Sequence, residues 1–103
     1  MSILTFVARQ VDGLLLAATM DARPEHEPFK RQGKQLLKKV SAAGPNARCS
    51  VSAGRFVFHY MCSNSVCFMV LCDQGYPIQL AYKFLAEISR EWTAEMQADR
   101  GMG

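Results

Sequence analysis

The side chains best suited to chemistry in this sequence are two histidines and four cysteines. His26 stands between Glu25 and Glu27 in a polar stretch, and His59 between Phe58 and Tyr60 in an apolar one. A strand histidine flanked by aromatics reads as a packed side chain rather than a base. A zinc site would need Cys-x(2–4)-Cys pairs or a Cys/His quartet. Cys62, Cys67 and Cys72 are each separated by four residues instead. Cys67 and Cys72 fall on one extended segment and point to opposite faces, so they cannot share an ion. Cys62 and Cys67 face each other across a short hairpin, where an oxidising buffer could bridge them. In a reducing compartment all four, Cys49 included, read as small buried hydrophobes. No Gly-x-Ser-x-Gly elbow, phosphate loop or dinucleotide fingerprint is present, and no nucleophile–base pair is visible. The expectation is a non-enzymatic chain with no catalytic residue, no metal and no cofactor.

Bulk properties agree. The 103 residues are 50% hydrophobic and 20% charged, which suits one globular core. A net charge of +3 is too small to mark a nucleic-acid binder by itself. The basic residues Lys30, Arg31, Lys34, Lys38, Lys39 and Arg48 lack interleaved aromatics, and Glu87, Glu91, Glu95 and Asp99 form an acidic counterpart. Both read as solvated faces, and nucleic acid is not expected as a partner. The opening run Ile3 to Ala8 is too short for a secretory signal and ends at Arg9. No apolar run approaches the ~20 residues needed to span a bilayer. A cytosolic setting with reduced thiols follows, and any membrane attachment would need a segment outside this sequence.

The elements that position these side chains alternate between two periods. Ile3 to Arg9 and Leu14 to Met20 read as strands joined at Val11-Asp12-Gly13, a hairpin turn signal. Pro28 suits the start of a helix. Phe29, Leu36, Leu37 and Val40 then recur at helical spacing to about Ala43, with lysines between them. Gly33 inside that helix costs about 1 kcal/mol relative to alanine, unless a small residue is needed for close approach to a sheet. Arg48 to Ala53 alternates polar and apolar residues, as an edge or half-exposed strand does. Phe56 to Cys62 and Val66 to Cys72 are apolar at nearly every position, so both faces of that sheet need cover. Phe56, Phe58 and Tyr60 fall on one side of their strand and read as core. After Pro77, the positions Ile78, Ala81, Leu85, Ile88, Trp92 and Met96 step along one helix face to about Ala98. The order is β-β-α-β-β-β-α: an α+β domain over residues 1–98, with a five-stranded antiparallel sheet between helices and a flexible tail at 99–103.

With no reaction in view, surfaces remain. The first helix and the polar third strand border a groove. An edge strand can accept an extended peptide by β-addition, while apolar residues on the helix hold its side chains. The opposing reading is a protected edge that binds nothing.

Ordered fragments of the sequence then suggest a family. It opens Thr5-x-x-Ala8-Arg9-x-x-Asp12-Gly13-Leu14-x-Leu16-Ala17-Ala18-x-Met20. Gln32-x-Lys34-Gln35-Leu36-x-x-Lys39, Arg48-Cys49, Phe58-His59-Tyr60, Val66-Cys67-x-x-Val70-Leu71-Cys72 and Pro77-x-x-Leu80-Ala81 follow. Together they resemble the longin domain of ER–Golgi vesicle-trafficking R-SNAREs of the Sec-twenty-two type, from the first residues to about Glu95. The resemblance implies a profilin-like fold on the cytoplasmic face of ER and Golgi membranes. It implies a regulatory role in vesicle-mediated transport. The implied partners are the protein's own SNARE motif or linker in cis, other SNAREs and the COPII coat. The fold-back segment of that family lies around the first helix and third strand. By position, Phe29, Leu36, Leu37, Val40, Cys49 and Val51 would be the protein-binding residues here.

The resemblance departs in two ways. The family domain carries a third helix after the second, and this sequence stops before it. It also holds no heptad-repeat SNARE motif and no C-terminal anchor. A sheet face short of its cover is expected to favour a homodimer. The alternative is a longin-like scaffold subunit of a tethering or adaptor complex, since such subunits lack SNARE motifs. Actin or polyproline binding would rest on fold analogy alone.

Overall fold

The computed structural model describes residues 2–19, 23–40, 44 and 46–102. The elements are β1 (Ser2–Arg9), β2 (Leu15–Ala18), a 3-10 turn (Pro24–His26), α1 (Glu27–Lys39), β3 (Arg48–Ala53), β4 (Phe56–Ser63), β5 (Val66–Asp73) and α2 (Ile78–Met102). This is the expected β-β-α-β-β-β-α order. The strands form one antiparallel sheet in the order β2-β1-β5-β4-β3.

Three hairpins (β1–β2, β3–β4 and β4–β5) and one long-range pairing build the sheet. Between β4 and β5, Asn64 and Ser65 both take positive φ (53° and 66°), as a two-residue type I′ turn requires. Cys62 and Cys67 are register partners across that hairpin. β1 pairs with β5 from Ser2↔Cys72 to Arg9↔Val66, so the first strand and the last lie side by side at the centre.

β5 shows why the sheet is covered twice. Its alternate residues Cys67, Met69 and Leu71 join Phe6, Phe58, Leu37 and Val40 on the α1 side. Phe68, Val70 and Cys72 join Val7, Ala81 and Leu85 on the α2 side. Strict alternation between two buried clusters produces the continuous apolar run seen in the sequence. Cys67 and Cys72 thus fall on opposite faces, as their spacing requires. Gly33 is buried where α1 crosses the sheet. A Cβ there would come within 3.0 Å of Phe6 Cε2 and 3.2 Å of Phe58 Cε1, so close approach accounts for the glycine.

Several expectations need correction. α1 begins at Glu27, preceded by the 3-10 turn, because Pro28 is accommodated inside its first turn. The expected end of that helix at 41–43 lies outside the described residues, as does Met20 in the second strand. α2 continues to Met102 rather than ending near Ala98, since nothing from Glu95 to Arg100 breaks a helix. Residues 99–102 are thus helical rather than tail. Ile78 and Met96 are exposed, not core. Ile78 is the first residue of α2 and lines an open cleft at that end of the helix. The 25 residues of α2 span roughly 37 Å, against roughly 27 Å for the 8-residue strands, so the end bearing Met96 overhangs the sheet.

Candidate functional site

Among the described residues strand β3 pairs only with β4, so its outer backbone edge has no strand partner there. Register fixes which way its side chains point. Cys49 lies opposite Tyr60, Val51 opposite Phe58 and Ala53 opposite Phe56, and those partners face α1. Arg48, Ser50 and Ser52 therefore face α2.

On the α1 side, Phe29 packs edge-on against Phe56, with ring centroids 4.8 Å apart. Phe29, Leu36 and Val51 are half-buried against the core, and Cys49 is exposed. These side chains line an incompletely covered strip between α1 and the edge strand. Leu37 and Val40 do not belong to it. At 1% and 2% exposure they are spent on the core, because their helical positions point straight at the sheet. Cys49 corrects the expectation that every cysteine is buried, whereas Cys62, Cys67 and Cys72 are. Burial pushes the Tyr60 phenol up to about 12, helped by the neighbouring Cys49 thiol. A hydrogen bond from Cys67 lowers Cys62, and the same bond, with burial, raises Cys67.

The α2 side holds an arrangement the sequence did not disclose. Ser50 Oγ lies 2.7 Å from His59 Nδ1 and 3.1 Å from Tyr82 Oη. The Arg48 guanidinium sits over the Tyr82 ring, 4.7 Å from its centroid. An open cleft lined by Arg48, Ile78, Gln79, Tyr82, Lys83 and Ala86 runs alongside. The available signals were the polar phase of β3 and the spacing of Ile78, Tyr82 and Ala86, one turn apart. A serine beside a histidine invites comparison with a nucleophile and its base. Burial lowers the His59 pKa, however, and among the described residues no carboxylate orients or charges the ring. The cluster satisfies a buried imidazole and ties β3, β4 and α2 together. Among the described residues no group of three metal-ligating side chains occurs.

This architecture can be set beside known proteins. Residues 16–102 match the family model described as Longin, a regulated-SNARE-like domain. The chain belongs to the longin family. Three relatives show what kind of longin domain it is similar to. The vesicle-trafficking protein SEC22b-B of Danio rerio is 38% identical over 89% of this chain and 44% of its own length. The 25.3 kDa vesicle transport protein SEC22-1 of Arabidopsis thaliana is 38% identical over 86% and 43%. The protein transport protein sec22 of Schizosaccharomyces pombe is 36% identical over 81% and 40%. This longin chain spans less than half the length of these relatives. No helix among its described residues is long and apolar enough to cross a membrane.

Proposed function

We propose that this longin domain is a regulatory protein-binding module of a SNARE-type protein in ER–Golgi vesicle traffic, working on the cytoplasmic face of those membranes without catalysing a reaction. The reading rests on family membership and on relatives that are named for vesicle trafficking and transport. Its occupant is an extended segment, the SNARE motif or linker in cis, laid along the strip beside β3. Other SNAREs and the COPII coat would read the domain with that segment in place. The observation that carries this is a strand edge without a strand partner among the described residues, flanked by side chains that keep apolar surface: Phe29, Leu36 and Val51, with Cys49 at one end. Main-chain pairing would supply affinity and those side chains specificity.

The test is an NMR titration with a peptide covering the linker that follows the longin domain in the relatives. Amide shifts clustered on Leu36 and on Cys49 to Val51 support a fold-back module. No shifts at millimolar peptide would overturn it and favour a scaffold subunit acting through another surface.

A further inference from the structure

The β1–β2 connection is a tight turn that presents two large apolar side chains to solvent. Val11 is 73% exposed and Leu14 is 53% exposed. The turn is held firmly. Gly13 N donates to Arg9 O at 2.8 Å, and Leu14 N donates to Asp12 Oδ1 at 3.0 Å. Arg9 and Asp12 pair with each other, which neutralises the only acid of the turn. At its base the buried Gln10 donates its Nε2 to Gly44 O at 3.1 Å and its backbone N to Ser65 O at 2.9 Å. Gly13, at φ +74°, lies against the backbone of Lys38 in α1, where a Cβ would come within 3.0 Å. This contact places the apolar tip beside one flank of α1. Lys34 and Lys38, one turn apart on that flank, are both exposed. Glu27, the one acid of α1, is engaged by Lys30 at 3.2 Å.

We propose that Val11 and Leu14, with Lys34 and Lys38 beside them, dock on an anionic lipid surface. A protruding turn offers no concavity for a ligand. Two side chains cannot supply the ~1,200 Å² of a specific protein interface. A headgroup layer asks for less: a few apolar side chains pressed into the boundary and cations within reach of negative charge. The turn is already rigid, so little ordering opposes docking. The surface lies on the β1–β2 side of α1, away from the strip beside β3, so either proposal can fail without the other.

The experiment is co-sedimentation of the folded chain with vesicles of phosphatidylcholine alone and of phosphatidylcholine with phosphatidylserine. Binding to the anionic vesicles only, weakening as salt is added, is expected. V11S/L14S and K34E/K38E, each with a wild-type circular dichroism spectrum, should each lower partitioning about fivefold or more. No binding to anionic vesicles, equal binding to both kinds, or two variants that bind like wild type would overturn the proposal. An acidic protein partner bound in the absence of any vesicle binding would likewise overturn it.

Discussion

Gly33 of α1 rests on the ring of Phe6 in β1, so closely that a methyl group on Gly33 would meet Phe6 Cε2 at 3.0 Å. Phe58 closes the other side at 3.2 Å, and both rings are buried. Gly33→Ala gains helix propensity of about 1 kcal/mol but overpacks the interface by more, so a net loss of ~1–2 kcal/mol is expected. Urea unfolding of the variant measures it. An unchanged or raised midpoint would show that α1 can ride higher on the sheet.

The cysteines should divide by accessibility. Cys49 is exposed, while Cys62, Cys67 and Cys72 are buried. A thiol reagent added to the native chain should modify Cys49 within the mixing phase and the others only after unfolding. The C49S variant should show no fast phase. Fast reaction of Cys62 or Cys67 would mean that the β4–β5 hairpin opens readily.

Acid should weaken the fold in two steps. His59 is held neutral by burial, so its folded pKa lies below the ordinary 6.5. Stability is complete above 6.5 and is lost as pH falls through the lower folded value, because the unfolded chain takes up the proton first. His59→Gln should flatten this limb of a plot of stability against pH. The second step belongs to Asp12, whose hydrogen bond from Arg9 lowers it to about 2 from 3.8. That contribution is lost between those two values, and Asp12→Asn should remove it.

A fourth measurement concerns association. α2 packs over β4 and β5, leaving Phe84 on its other flank and Leu16 on β2 exposed. A homodimer covering this face is expected by light scattering at about 100 μM, dissociating on dilution. Leu16→Glu with Phe84→Glu should shift it to monomer, and a monodisperse wild-type monomer would count against it.

Much of this was legible in the residues. Period-two and helical patterns place the five strands and both α-helices, though not the 3-10 turn, and the polar phase of Arg48, Ser50 and Ser52 marks an edge strand. What stayed hidden was depth. Leu36 and Leu37 are identical in type and adjacent, yet one borders the strip and the other is core, a difference of one helical step. The Ser50–His59–Tyr82 cluster joins three elements distant in sequence, and neither pattern nor spacing could align them. Cys49 looked like its buried namesakes because residue type carries no information about which strand lies at the rim.

The pairing of β1 with β5 also bears on synthesis. The partner of Ser2 to Arg9 is Val66 to Cys72. While a ribosome makes the intervening chain, Leu4, Phe6 and Val7 have no finished sheet to enter. At about 5–20 residues per second that interval lasts several seconds. Once β2 has paired with one edge of β1, the other edge of that apolar strand stays unpaired throughout, the kind of segment that general chaperones hold.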